Sequence, residues 1–520
     1  MERDRDFSEG LFGTFDGPSG TETEDTEYTP SAPNTVPSFF SRDAAPTAAP
    51  PEADPGKPTD SMSAFITKTM AAVTDREEPL NDDNLLPPAP RTFSEVGLSK
   101  AFLTDLTLKI LHYSGTPSMS QLTRRLGLSN EIVAQLLSAL TEERLVEILS
   151  QSDLFTGNYR YRLSERGQNR VNEALERSRY AGPAPVTAEQ YNSVIKRLIA
   201  HQQDTSNRAR IKAILHDLVL DPAVSDSLAR ALFSGKSAII YGPSGNGKTV
   251  LLERYAEDMG GFSVVPYAIY AYGQVIRVYD QSIHQAIEKV DDENIQKDET
   301  KRDRRWVIVK RPAIVLGAEM DREALDLGYD PTARFYQAPP HIKAQNGALI
   351  IDDFGRQQIP TRDLLTRWLI PMERGWDSLT LVTGEKLVVP FKVQLLFSTN
   401  MRVRDLADDA LLRRILYKVS LPNPNRENFA EILRQACRQR KVRVEDGVLE
   451  YVVDKMYQPG APKTRGSYAR DLLDILIESA SYDGHEPVLD RKSFDHVFEL
   501  FVMHEESGEH EESEIEEHAI

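Results

Sequence analysis

The sequence predicts an α/β protein with a buried parallel sheet built around a phosphate-binding loop. Three observations carry that prediction. The apolar run Ser237–Tyr241 leads into Gly242-Pro243-Ser244-Gly245-Asn246-Gly247-Lys248-Thr249. This stretch fits G-x-x-x-x-G-K-[ST] in a strand–loop–helix setting. Ala348–Ile351 is an apolar run that ends in Asp352-Asp353, and Val393–Phe397 is another that ends in Ser398-Thr399-Asn400.

The residue types explain the chemistry expected of the loop. Its glycines let backbone N–H groups curl around the β- and γ-phosphates of a nucleoside triphosphate. Lys248 adds a point charge, Thr249 a hydroxyl for Mg²⁺, and the helix N-terminus a partial positive charge. A buried strand that ends in carboxylates is what a magnesium-nucleotide site requires. Asp352 is therefore expected to hold the metal through water and Asp353 to sit beside the γ-phosphate. Asn400 is a strand-end amide suited to orienting the attacking water. ATP and Mg²⁺ are the expected ligands.

The whole chain sets bounds on partners and compartment. Its 520 residues allow three or four domains. The net charge of -18 disfavours nucleic acid and anionic membrane as general partners. The one cysteine, Cys437, excludes disulfides within the chain and cysteine zinc sites. The start Met-Glu-Arg-Asp-Arg-Asp lacks the apolar region of a signal peptide, and no apolar run approaches a membrane span. The chain reads as cytoplasmic, without membrane insertion.

In chain order, residues 1–90 hold 13 of the 31 prolines and read as a disordered tail. A helical stripe of Leu103, Leu106, Ile110 and Leu111 opens the next region, 91–180. A helix Ser118–Leu126 follows. A third, capped by Ser129 or Asn130, turns Ile132, Val133, Leu136, Leu137 and Leu140 inward. Strands are expected at Leu145–Leu149 and Tyr159–Leu163, with Thr156-Gly157-Asn158 as the turn.

Three helices and a hairpin resemble a winged-helix (α+β) domain. Such domains often bind DNA through the third helix. Here Ser129–Thr141 has no Lys or Arg and one acid, Glu131. The wing carries Arg160, Arg162, Arg166 and Arg170, partly offset by nearby acids. A protein-docking or structural role is therefore expected ahead of DNA binding. Residues 181–205 read as a linker.

The ATPase region is expected over 206–425. Asp409-Ala410-Leu411-Leu412 leads to Arg413-Arg414, a pair suited to reaching into a neighbouring site. Arg465-Gly466-Ser467-Tyr468-Ala469-Arg470 opens a helix whose Arg470 is placed to fold over the nucleotide. Lys248 and Asp352 stand 104 positions apart, so an insertion is expected at about 262–312. It should hold strands Pro266–Tyr272, Gln274–Tyr279 and Trp306–Lys310, a helical run Ser282–Val290 and a charged stretch Asp291–Arg305. The tail 504–520 packs eight Glu and three His and reads as solvating or partner-facing.

This ordered set resembles the AAA+ ATPases. The resemblance assigns Walker A to 242–249, Walker B to 348–353, sensor 1 to Asn400, the arginine finger to Arg413 or Arg414, and sensor 2 to Arg470. It implies a P-loop NTPase αβα core with five strands, a C-terminal helical lid over 426–503, and a homo-oligomeric ring, commonly a hexamer. Ser378–Val382, Thr383-Gly384 and Glu385–Val389 read as a hairpin before the sensor-1 strand. With Leu369–Arg374, Pro390-Phe391 and His341–Gly347, that hairpin looks like MoxR-type ATPases and their relatives. The resemblance implies a chaperone-like remodeller of protein partners. DNA-associated regulation through the winged helix, and a slow ATP-dependent oligomerisation switch, are the alternatives.

Asp353 departs from that family, where Glu is usual. The shorter side chain withdraws its carboxylate by roughly 1.5 Å, and a misplacement of about 1 Å can cost ~10²-fold in rate. Slow hydrolysis is expected unless the backbone compensates. The Asp-Asp pair also resembles the STAND signalling ATPases, although the hairpin and the N-terminal winged helix argue against that identity.

Overall fold

Short apolar runs separated by caps and glycines set the architecture. The computed structural model describes residues 86–149, 159–201, 208–216, 218–287, 302–407, 409–459 and 463–501. The proline-rich tail up to residue 85, the turn 156–158, most of the charged stretch 291–305 and the acidic tail 504–520 lie outside them.

Helices α1 (Lys100–Ser114), α2 (Met119–Leu126) and α3 (Asn130–Glu142) come first. The Ser99 side chain accepts the Phe102 N–H to start α1. Ser118 and Gln121 form a reciprocal capping box at α2. Ile132, Val133, Leu136, Leu137 and Leu140 are the buried residues of α3. An antiparallel pair follows, β1 (Val146–Leu149) with β2 (Arg160–Leu163), in register Val146 to Leu163. Helix α4 (Glu165–Arg177) packs back against α1.

Within the segment expected to be a linker, 181–205, residues 186–201 are regular structure instead. They form β3 (Val186–Thr187) and α5 (Ala188–His201). Tyr191, Val194, Ile195 and Leu198 recur at helical spacing and are almost fully buried.

Strand β4 (Ala238–Tyr241) feeds the phosphate loop and α6 (Lys248–Glu257). Next come β5 (Phe262–Pro266), β6 (Ala268–Ala271), β7 (Gln274–Arg277), β8 (Trp306–Lys310) and β9 (Ala313–Leu316). Strands β10 (Gly328–Asp330) and β11 (Phe335–Gln337) lead to β12 (Ala348–Ile351) and α7 (Thr361–Arg374). The hairpin β13 (Trp376–Thr380) and β14 (Lys386–Pro390) precedes β15 (Gln394–Thr399) and β16 (Tyr417–Ser420).

Five of these strands form one parallel sheet in the order β16-β4-β15-β12-β9. Every residue of β12 and β15 is buried, as befits strands covered on both faces. This sheet, with the phosphate loop at the end of β4, is a P-loop NTPase core. The loop and the ends of β12 and β15 meet at one edge, where an α/β sheet places its ligand.

A second five-stranded sheet, β10-β11-β7-β6-β3, lies outside that core. It corrects the expectation of a single insertion at 262–312, since it also recruits Val186–Thr187 and Gly328–Gln337. The expected strand Pro266–Tyr272 is split between β5 and β6. The expected helix Ser282–Val290 is not helical through Ile287. There Ile287 N–H donates to Ile308 O at 3.0 Å, and Lys310 N–H donates to Gln285 O at 2.9 Å. Pairing with the edge of β8 overrides local helix propensity.

The C-terminal part is helical: α8 (Arg426–Arg440), α9 (Val448–Met456), α10 (Tyr468–Asp483) and residues 491–501. Phe429, Leu433, Leu472, Leu476 and Phe494 form its own core. No helix among the described residues is long and apolar enough to cross a membrane.

Candidate functional site

The loop after β4 is shaped by backbone that only glycine tolerates. Gly242 has φ 146°, and a Cβ there would meet Leu421 O at 2.2 Å. Gly245 has φ 79°, and a Cβ would meet Ser467 Oγ at 2.6 Å. The chain then enters α6, whose first residue, Lys248, is buried. Its Nζ donates to Gly242 O and Pro243 O, both at 2.9 Å. Burial lowers the Lys248 pKa, opposed by the negative charges of Asp353 and Asp352.

Thr249 and Asp352 meet directly. The Thr249 Oγ1 hydroxyl lies 3.0 and 2.9 Å from the two carboxylate oxygens of Asp352. A hydroxyl and a carboxylate side by side are hard oxygen donors, the set that Mg²⁺ takes with phosphates and water. The residues present therefore fit the metal. Among the described residues no cluster of three or more His, Cys, Asp or Glu forms another metal site.

Asp353 sits in the left-handed region, φ 46°. Asp adopts that conformation more readily than most side chains. The turn is fixed on several sides. Phe354 N–H donates to Ser398 O at 2.7 Å, and Gln357 Nε2 donates to Asp352 O at 2.8 Å and Asp353 O at 3.2 Å. The backbone is thus displaced from a regular strand end at the residue where the side chain is one methylene short.

These groups open onto a cavity of about 390 Å³ lined by the phosphate loop, Asp353, Ser398 and Arg470. Its remaining wall was not read from the sequence. Leu218, Leu220 and Ile432 supply an apolar side, and Gln435, Gly466 and Ser467 a polar one. The loop 465–467 docks on the phosphate loop. Ser467 N–H donates to Gly245 O at 2.7 Å, and Gly466 N–H donates to Asn246 Oδ1 at 3.0 Å. No motif marks such contacts, because they join segments some 220 residues apart in sequence.

The remaining predicted residues fall in two groups. Arg470, in the first turn of α10, lines the cavity with the loop, and its Nε lies 3.3 Å from Asp471 Oδ1. Asn400 directly follows β15, whose Thr399 O accepts the Gly242 N–H at 3.2 Å. It stands at the same sheet edge without lining the cavity. Arg413 and Arg414 follow the short helix Asp409–Leu412. Both are exposed, and neither lines the cavity of its own chain. Arg414 is ion-paired with Glu373.

The fold and this site define a P-loop nucleotide-binding protein. A family model described as "Domain of unknown function (DUF8689)" matches residues 425–500. A search of curated proteins finds no match. Among solved structures, NtrX from Brucella abortus is similar at 13% identity, over 59% of this chain and 68% of that one, with a TM-score of 0.34. NtrX in complex with ATP is similar at 14% identity, over 59% and 70%, with a TM-score of 0.34. The Thermotoga maritima RuvB Holliday junction branch migration motor is similar at 13% identity, over 54% and 67%, with a TM-score of 0.30. At such low scores the class rests on the strand order and site geometry of this chain.

Proposed function

We propose that this chain is an AAA+ ATPase that couples Mg-ATP binding and hydrolysis to remodelling or assembly of protein partners, as a homo-oligomeric ring in the cytoplasm. The observation that carries the reading is the convergence of the phosphate loop, Asp353 and Arg470 on one cavity. Lys248 and the loop amides hold the phosphates, and Thr249 and Asp352 hold Mg²⁺, which supplies charge neutralisation at the phosphoryl oxygens. Asp353 accepts a proton from the attacking water, oriented with Asn400. Leu218, Leu220 and Ile432 offer the apolar side against which a nucleobase packs.

Arg413 and Arg414 serve a neighbouring copy rather than their own site, which supports a ring, with a hexamer favoured. Arg413 is the better finger, because Arg414 is paired with Glu373. Arg470 links the nucleotide to the lid. The hairpin β13–β14, with Val382 at its tip 75% exposed, and the accessory sheet are the surfaces offered to a protein partner.

The ATPase rate per protomer against protein concentration tests this, with Lys248→Ala as the blank. A rate that climbs and saturates supports a site completed between subunits. A negligible rate despite tight ATP binding and ATP-dependent assembly would replace it with the second reading, a slow switch, which the short Asp353 carboxylate favours.

A further inference from the structure

Where the chain leaves β12 and turns through Asp353, side chains take over from the sheet. The Asp352 N–H still donates to Leu316 O of β9 at 2.8 Å. Beyond it, the consecutive carbonyls of Asp352, Asp353 and Phe354 are taken by the side chains of Gln357 and Thr399. Gln357 Nε2 donates to Asp352 O at 2.8 Å and to Asp353 O at 3.2 Å, while its Oε1 accepts the Gly355 N–H at 2.9 Å. Thr399 Oγ1 donates to Phe354 O at 2.6 Å and accepts the Met401 N–H at 3.1 Å.

The two carbonyls that Gln357 holds belong to the peptide planes on either side of the Asp353 Cα. One amide therefore fixes both planes, and with them the direction of the Asp353 Cα–Cβ bond. That control matters here, because Asp353 rests at φ 46° and Gly355, at φ 112°, follows close behind. A side chain at the first angle has few other ways to stay there, and glycine at the second imposes no preference of its own. Asp353 lines the nucleotide cavity, whereas Gln357 is not among the described residues that do.

We infer that Gln357 is a positioning residue for hydrolysis, holding the Asp353 backbone so that its short carboxylate points at the attacking water. This rests on the ATPase reading above. The residue type fits the task closely. An amide NH₂ donates twice while its oxygen accepts, so one side chain serves two carbonyls and an N–H. Glutamate at this place would keep the acceptor and lose both donors. Gln358, the next residue, is exposed and serves as a control of the same chemistry.

The test is steady-state ATP hydrolysis by the full chain, read as phosphate release, with thermal melts to confirm folded protein. Gln357→Met keeps the length of the side chain and removes its hydrogen bonds. It should lower kcat about tenfold or more, with KM within about twofold of the parent. Gln357→Glu should lose as much, and Gln358→Met should match the parent. The same Gln357→Met change in an Asp353→Asn background should cost less than about twofold further, since the carboxylate it aims is gone. A role in packing alone would lower the rate by the same factor in both backgrounds.

An unchanged kcat in Gln357→Met, an equal loss in Gln358→Met, or losses that multiply in the Asp353→Asn background would each overturn the assignment. A parent chain without turnover overturns the ATPase reading and this inference with it. An active parent with neutral Gln357 variants overturns the inference alone.

Discussion

Asn246 Nδ2 donates to Asn423 Oδ1 at 2.8 Å, tying the phosphate loop to the connector between the parallel sheet and the C-terminal helices. The same side chain accepts the Gly466 N–H. One amide therefore joins the loop, the connector and the segment that opens α10.

Asn246→Ala removes the two bonds, each worth about 1 kcal/mol. The amides of Gly466 and Ser467 should then exchange with solvent about tenfold faster. Hydrogen–deuterium exchange read by mass spectrometry checks this. Unchanged protection would mean that the Ser467–Gly245 bond alone seats the 465–467 segment on the phosphate loop.

Lys248→Ala should abolish ATP binding, and Thr249→Ala should weaken its dependence on Mg²⁺ by about tenfold or more. Calorimetric titrations with and without Mg²⁺ separate the two effects. Retained magnesium dependence in the threonine variant would remove Thr249 from the metal site.

Arg413→Ala should keep ATP binding and lose about a hundredfold or more in turnover. Arg414→Ala should lose less, since its partner is Glu373 of the same chain. Full activity in the double variant would sink the finger assignment. Mixing Arg413→Ala with Lys248→Ala protomers should restore part of the rate, as each supplies what the other lacks.

Asp353→Glu extends the carboxylate toward the cavity but places Glu at φ 46°. We expect turnover to rise about tenfold and stability to fall by about 1 kcal/mol. Single-turnover rates and thermal melts measure both. An unchanged rate would show that the turn already compensates for the missing methylene.

His341 and Asp377 give a pH dependence of known sign. His341 Nε2 lies 2.8 Å from Asp377 Oδ2, and both side chains are buried. Burial lowers the His341 pKa, against the pull of Asp377. Burial also pushes the Asp377 carboxyl up, but hydrogen bonds from His341 and Arg367 outweigh it and hold it at about 2. Both folded-state values lie below the unfolded ones. Their stabilisation is complete above pH ~6.5 and is lost as pH falls, first through histidine and then, below pH ~4, through aspartate. The melting temperature should drop between pH 7.5 and 5, and less steeply in His341→Gln.

What the sequence discloses is set by how local each feature is. The phosphate loop is legible because its glycines and Lys248 act within eight residues. The inward stripe of α3 is legible because helical periodicity alone places Ile132 to Leu140. The hairpin is legible too: its first strand lies two residues before the expected Ser378–Val382 and its second one residue after the expected Glu385–Val389. Of the accessory sheet only the β6–β7 hairpin, Ile269 beside Ile276, is legible; Val186 and Tyr336 join it only after long excursions of chain. The same holds for Leu218 and Ile432 in the cavity wall, which read as ordinary apolar residues. Residues 282–287 mislead because the edge of β8 captures them.

Arg305 anchors more than its own loop. It is buried with Asp303 in a forked pair, and its Nη1 also donates to Val96 O at 3.0 Å and Pro185 O at 3.3 Å. Asp303 N–H in turn donates to Pro87 O at 2.8 Å. Four chain segments thus share one rivet. Breaking it would strand a buried carboxylate, so the pair fastens the stretches just before α1 and β3 to the loop ahead of β8.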